Sequence, residues 1–156
     1  MNGKYLFGFC LILVIILSCG CASAAMEQHN FGNDFSMEVP KNSNFEKLEG
    51  ELYDQLPFEE KDYLDEKNQI LVVFCSDPMI SDENVDCNYD MIFKTINPDL
   101  DECYEYLDGN LKILEPKKKS EDNMAVIGQH IDNNTVILVG NDVDSLKEMA
   151  KTISFE

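Results

Sequence analysis

The segment MAVIGQHIDNNTVILVGND, residues 124–142, decides the fold of this chain. Its two apolar runs, Met124–Ile131 and Thr135–Gly140, are separated by Asp132-Asn133-Asn134. Asn tolerates positive φ, so this spacing predicts two antiparallel strands joined by a tight turn. Asp142 then stands where a helix N-cap is expected.

The residues that follow the hairpin predict a terminal helix. One helix face collects the apolar side chains Val143, Leu146, Met149, Ala150 and Ile153. Working backwards from the hairpin, Leu111–Glu115 predicts a third strand, joined to it by residues 116–122. The segment before that strand reads as a second helix, because Asn97-Pro98 can open a helix and Gly109 can end one. Its apolar stripe would consist of Leu100, Cys103, Tyr104 and Leu107.

The N-terminal half is less regular. Alternating or continuous apolar residues predict strands at Phe35–Pro40, Lys47–Tyr53 and Gln69–Ser76. Residues 57–68 fit either a short helix or a solvated hairpin, residues 77–90 read as a polar loop, and residues 91–93 fit strand or helix. The resulting order predicts an α+β domain with a single antiparallel β-sheet and two main helices.

This pattern resembles the PsbP-like sandwich of photosystem subunits and small prokaryotic surface lipoproteins. The resemblance lies in the first strand Phe35–Pro40, the last strand Val136–Gly140 with its terminal helix, and the closing Ile153–Phe155. The Gly-Trp expected after the first strand is replaced by Lys41–Phe45. The resemblance implies a binding or accessory role, and it supplies no site residue.

The charge of the chain argues against nucleic acid as a partner. The chain has 156 residues, 12 basic and 30 acidic, and a formal net charge of −18. Nucleic acid binding needs a basic surface, so no nucleic acid partner is expected. The hydrophobic content of 44% is too high for a disordered chain.

Residues 1–25 are predicted to direct export. Lys4 is followed by the apolar stretch Tyr5–Leu17 and then by small residues, which is the order of a signal peptide. Ala22-Ser23-Ala24 fits a signal peptidase site, whereas Ile16-Leu17-Ser18-Cys19 resembles a lipobox that would place a lipid on Cys19.

Cys21 is the alternative lipidation site, and an uncleaved membrane anchor is the third outcome. We therefore expect a signal or anchor over residues 1–25, a tether over residues 26–33 and a single domain over residues 34–156. All three outcomes predict an extracytoplasmic domain that is attached to the membrane or secreted.

The domain contains three cysteines, an odd number for an exported protein. Cys75 lies in an apolar run and is predicted to be a buried free thiol. The candidate disulfide is therefore Cys87–Cys103, with the alternative that all three are reduced.

Residues 82–90 suggest a weak calcium site in a surface protein. The oxygen-bearing residues alternate along this segment: Asp82, Asn84, Asp86, Asn88 and Asp90. An EF-hand needs Gly where Cys87 stands and a bidentate Glu where Phe93 stands. The alternative is a plain solvated loop, and no other metal or cofactor is expected.

No catalytic residue is predicted, and the chain is not expected to be an enzyme. His130 on a strand and His29 in the tether lack a nucleophile context. The carboxylate pairs Glu59-Glu60 and Asp65-Glu66 would permit an extracytoplasmic hydrolase as the alternative. Their number among 30 acidic residues is expected by chance.

Two surface features remain. Asn133-Asn134-Thr135 is a glycosylation sequon on a predicted turn, which makes Asn133 a candidate acceptor. Lys117–Lys119 is the basic cluster and could contact an acidic partner or the membrane surface. The expected function is a binding or accessory module for an envelope protein or a small ligand.

Overall fold

The structure, a computed structural model, describes residues 25–48, 59–76, 82–100, 102–118, 120 and 122–155, without the side chains of residues 59 and 82–88. Within these residues, two helices, α1 (Asp82–Ile96) and α2 (Val143–Ala150), accompany ten strands. In chain order, the strands are β1 (Met26–Phe31), β2 (Phe35–Pro40), β3 (Glu46–Lys47), β4 (Glu59–Asp65), β5 (Ile70–Ser76), β6 (Cys103–Asp108), β7 (Leu111–Pro116), β8 (Ala125–Ile131), β9 (Asn134–Gly140) and β10 (Ser154–Phe155).

The strands form two antiparallel sheets. The small sheet has the order β1-β2-β10 and the large sheet has the order β3-β4-β5-β9-β8-β7-β6. The predicted α+β class with a single sheet is therefore wrong, because the described residues are mostly β and divide between two sheets. Strand β2 pairs with β1 and β10 in the small sheet and with no strand described in the large sheet.

Strand β1 occupies most of the segment predicted as a tether. Its residues are mainly polar, but Phe31 is buried and Gly32, at φ +65°, allows the turn into β2. The backbone N–H of Lys41 donates to the carbonyl of Ala25 at 2.7 Å, which extends this pairing to the first described residue. The domain thus begins before residue 34.

Both faces of the large sheet are covered. One face packs against the small sheet and α2 through a core that includes Phe35, Val72, Ile127 and Met149. The other face packs against α1, where Tyr89, Ile92 and Phe93 contact side chains such as Val126. The result is three layers with the large sheet in the middle.

Gly128 explains how closely α1 approaches the large sheet. A Cβ atom at this position would lie 2.1 Å from Cε1 of Tyr89. Glycine is therefore required where the ring of Tyr89 lies directly on strand β8.

The polar loop predicted at residues 77–90 is wrong over the described part, because residues 82–96 form α1. Its buried side chains Tyr89, Ile92 and Phe93 follow helical spacing, and docking on the sheet outweighs the polar character of the first turns. Residues 77–81 lie outside the described residues.

The helix predicted between Asn97 and Gly109 is also wrong. Asn97 instead ends α1: its Nδ2 donates to the carbonyl of Phe93 at 3.1 Å and to that of Met124 at 2.9 Å. Its Oδ1 accepts from the N–H of Met124 at 2.9 Å. Residues 103–108 form β6, since Gly109-Asn110 makes a two-residue turn into β7.

Residues 124–142 fold as expected. Strands β7, β8 and β9 confirm the predicted meander, and β5 confirms the buried strand. Asp142 caps α2, where its side chain accepts from the N–H of Ser145. The strand predicted at Lys47–Tyr53 is limited to Glu46–Lys47 among the described residues, and residues 49–53 lie outside them.

Candidate functional site

Strand β6 forms an outer edge of the large sheet. Its pairing with β7 runs without a bulge from Cys103 opposite Pro116 to Asp108 opposite Leu111. Among the described residues, no strand pairs with its other side. Within the described part of the chain, the backbone groups along this side are therefore open to another strand, and β6 carries no proline, lysine or bulge that would block such pairing.

The edge also presents apolar side chains. Tyr104 is 56% exposed and Leu107 is 74% exposed, and they are the exposed large hydrophobic residues in the described part of the chain. Because side chains alternate along a strand, these two lie on opposite faces. Tyr106 and Cys103 pack against the two cores, so they anchor the strand from both faces.

Acidic residues of this edge are matched by lysines. Glu102, just before β6, lies 2.8 Å from Lys117, and this hydrogen bond raises the pKa of Lys117 and lowers that of Glu102. Glu105 lies 2.8 Å from Lys112.

Two further lysines, in α2 and directly after it, lie close to side chains of β6. Asp108 lies 3.2 Å from the Nζ atom of Lys151, and the Nζ atom of Lys147 lies 5.0 Å from the ring centroid of Tyr106. Hydrogen bonding to Tyr106 raises the pKa of Lys147. The edge thus approaches local neutrality in a chain of net charge −18.

The predicted helix would put Tyr104 and Leu107 on its buried face, whereas both are exposed on strand β6. The signal that could have identified them is the turn Gly109-Asn110. A two-residue Gly-Asn loop before a strand is typical of a β-hairpin, and it predicts that the preceding residues are also a strand.

The predicted lipidation sites Cys19 and Cys21 lie outside the described residues. In the basic cluster, Lys117 contacts Glu102 and its Nζ atom lies 5.7 Å from the ring centroid of Tyr104. Lys118 is exposed, and Lys119 lies outside the described residues.

Cys75 and Cys103 lie on the same face of the large sheet, on β5 and β6, with β9, β8 and β7 between them. Cys75 is a buried free thiol, as predicted. Burial is the main cause that raises its pKa, and the negative charges of Glu60 and Asp62 raise it further. Cys103 is a free cysteine at the start of β6. Because the side chain of Cys87 lies outside the description, the Cys87–Cys103 pairing stays a prediction.

The calcium candidates lie on a helix instead of a loop. A spacing of two residues on a helix turns by about 200°, so this spacing is not in itself a ligand pattern, and calcium binding here stays a prediction. Asp90 is exposed, and the side chains of the other four candidates lie outside the description. Among the described residues, no group of three or more His, Cys, Asp or Glu could hold a metal ion.

A row of polar side chains crosses the sheet face that α1 covers. Glu60 lies opposite Cys75, Cys75 opposite Thr135, and Thr135 opposite His130. The Nδ1 atom of His130 lies 2.7 Å from the Oγ1 atom of Thr135. Because the raised pKa of Cys75 disfavours a thiolate, this row does not supply an activated nucleophile.

The carboxylate pair Asp65-Glu66 is divided by the turn after β4. Asp65 is fully buried and accepts from the backbone of Lys67 and Asn68 and from the Asn68 side chain, whereas Glu66 is exposed. Burial alone would raise the pKa of Asp65, but hydrogen bonds, those from Asn68 foremost, lower it overall. Its role is to hold a turn. The side chain of Glu59, in the other pair, lies outside the description.

Asn133 is exposed in the turn between β8 and β9. This position is accessible, and glycosylation there stays a prediction. His29 contacts the rings of Phe31 and Phe45, with centroid distances of 4.6 and 5.5 Å. It serves as a packing residue of β1.

No family model, curated protein or solved structure matches this chain. The resemblance to the PsbP-like sandwich therefore stays a prediction. Neither of the helices that the structure describes is long and apolar enough to span a membrane.

Proposed function

We propose that this chain is an exported, membrane-attached binding module that recognises its partner with the edge strand β6. The observation that carries this proposal is the combination of an open strand edge with the exposed side chains Tyr104 and Leu107. In strand addition, an incoming segment gains main-chain hydrogen bonds from such an edge, and the flanking side chains provide specificity.

Attachment to the membrane is supported by the sequence of residues 1–25. Six peptide units connect Cys19 to Ala25, and four connect Cys21 to Ala25. A fully extended chain covers at most about 3.5 Å per residue, so a lipid on either cysteine would hold Ala25 within roughly 20 Å of the headgroups. Because Ala25 already belongs to the hairpin of β1 and β2, the domain would lie close to the bilayer.

Fractionation of cells that express the full chain tests the location. We expect the protein in the membrane fraction and a mature N-terminus whose mass includes a diacylglyceryl group on Cys19 or Cys21. The variants Cys19→Ala and Cys21→Ala identify which cysteine is modified. Full-length protein that remains in the cytoplasm would contradict the proposal.

Affinity capture from solubilised envelope tests the binding edge. We expect Leu107→Lys to lose a specifically captured protein, because a charge replaces the most exposed apolar contact of β6. Gln28→Lys is the matched control, since Gln28 is an exposed residue on the other six-residue edge strand, β1. If Leu107→Lys and Gln28→Lys capture the same proteins as the natural chain, β6 is not the binding surface.

A further inference from the structure

We propose that the partner that pairs with β6 is a second copy of this chain, so that two large sheets join edge to edge in antiparallel orientation. This inference rests on the proposed function of β6 as a binding edge and names the occupant. Two copies related by a two-fold axis would each present the same strand, as closed dimers do.

Charge favours this place for contact between two copies. A net charge of −18 makes most surfaces of this protein repel one another. At this edge, however, Glu102, just before β6, and Glu105 and Asp108 within it each lie within 3.2 Å of a lysine. Two copies can therefore approach along this edge with far less repulsion than elsewhere.

The sequence of β6 fits itself in one register. Directly opposed residues share a face, so a strand paired antiparallel with its own copy must match odd-numbered residues with odd and even with even. With Glu105 opposite Glu105 of the second copy, Tyr104 meets Tyr106 and Cys103 meets Leu107. Both exposed apolar residues then lie opposite apolar ones, and Glu102 lies opposite Asp108, where each carboxylate keeps its own lysine.

The neighbouring registers are poorer. A pair centred on Tyr106 would place Leu107 opposite Glu105 and Tyr104 opposite Asp108. A pair centred on Tyr104 would place Cys103 opposite Glu105. Each of these registers opposes a carboxylate to an apolar side chain, which loses the cross-strand contacts that stabilise a sheet.

The centre of the favoured register contains four charges. Each Glu105 keeps its Lys112, with Nζ and Oε1 2.8 Å apart, so two carboxylates and two ammonium groups alternate at the two-fold axis. Lys112 is largely buried, with 14% of its side chain exposed, and its position is therefore fixed. The direct repulsion between the two Glu105 side chains is compensated within the cluster.

Disulfide trapping in membranes that contain the full-length chain tests the register. Glu105→Cys places two thiols directly opposite each other, and mild oxidation should give a dimer that migrates as such on non-reducing gels and disappears on reduction. Tyr106→Cys is the matched control, because its opposite residue is Tyr104. We expect several-fold more dimer from Glu105→Cys than from Tyr106→Cys or from the unchanged chain, whose own cysteines set the background.

A further variant separates contact through β6 from random collision. Adding Leu107→Lys to Glu105→Cys should reduce the trapped dimer to the background, while circular dichroism shows that the domain remains folded. Trapping that is equal in Glu105→Cys and Tyr106→Cys, or that is unaffected by Leu107→Lys, would overturn the proposal.

The outcomes also distinguish this inference from the proposed function. If Glu105→Cys stays monomeric but Leu107→Lys still abolishes capture of an envelope protein, the second copy is the wrong occupant and β6 remains a binding edge. If neither variant has an effect, both proposals are wrong.

Discussion

The contact between Gly128 and Tyr89 provides a quantitative test of how α1 docks on the large sheet. In Gly128→Ala, the new methyl group would lie 2.1 Å from Cε1 and 2.3 Å from Cζ of Tyr89. Ordinary contacts begin near 3.4 Å, so the ring would have to withdraw by more than 1 Å. The ring is 2% exposed in a packed core, so it has little room to do so.

Overpacking of this kind costs about 2–3 kcal/mol of the free energy of unfolding, which corresponds to a fall in Tm of roughly 10 °C for a domain of this size. Urea unfolding followed by circular dichroism measures this cost. Tyr89→Ala alone should cost roughly 3 kcal/mol or more, because it removes a buried ring.

A double-mutant cycle isolates the contact. Once Tyr89 is alanine, Gly128→Ala should cost little, which gives a coupling energy of about 2 kcal/mol. Gly109→Ala is the matched control: it has no atom within 4 Å and only the strain of φ +64°, so it should not couple to Tyr89. Additive costs for Gly128→Ala and Tyr89→Ala would refute the placement of α1.

Three further outcomes are expected. Burial lowers the pKa of His29 from 6.5, against a smaller opposing effect of Glu27, so the folded state favours the neutral imidazole, and the stability that it contributes is complete above pH 6.5 and is lost as the pH falls. Between about pH 7.5 and about pH 5, the natural chain should therefore lose more stability than His29→Gln. Equal losses in the two proteins would contradict this. Asn97→Ala should reduce the free energy of unfolding by about 2–3 kcal/mol, because it leaves the backbone of Met124 without its partner, and an unchanged urea midpoint would disprove that role. Iodoacetamide should label Cys103 well before Cys75 in the native protein, because Cys75 is 3% exposed and burial raises its pKa. Peptide mass spectrometry measures the order of labelling, and labelling of Cys75 first would contradict its buried position.

The sequence predicted the parts of the fold in which local pattern and tertiary contact agree. Strands β7, β8 and β9 are apolar and separated by clear turn residues, and α2 has both a cap and an apolar face. Such segments carry consistent signals at several levels, and each was recognised from its own residues.

The errors at α1 and β6 arose where two local signals compete. Residues 82–90 are rich in Asp and Asn, which favour loops, but Tyr89, Ile92, Phe93 and Ile96 recur at helical spacing and the sheet provides a surface for them. Asn97-Pro98 can open a helix or follow the end of one, and only the hydrogen bonds to Met124 decide between these.

The candidate binding edge could not be predicted once β6 was read as a helix. In a helix, Leu100, Cys103, Tyr104 and Leu107 share a face, whereas in a strand Tyr104 and Leu107 point to opposite sides. The exposure of these two residues depends on which strand ends the sheet, and that order is set by pairing with β7 and by nothing local to β6.

The position of β9 in the large sheet has a consequence for the order of folding. Strand β5 pairs on one side with β4, its neighbour in the chain, and on the other side with β9, where Leu71 lies opposite Val139. A chain that emerges N-terminus first therefore holds two separate three-strand units, β3-β4-β5 and β6-β7-β8, until β9 pairs with both and closes the sheet. Such long-range closure is slow, and it favours a late, cooperative transition in which the sheet forms after the C-terminal third is available.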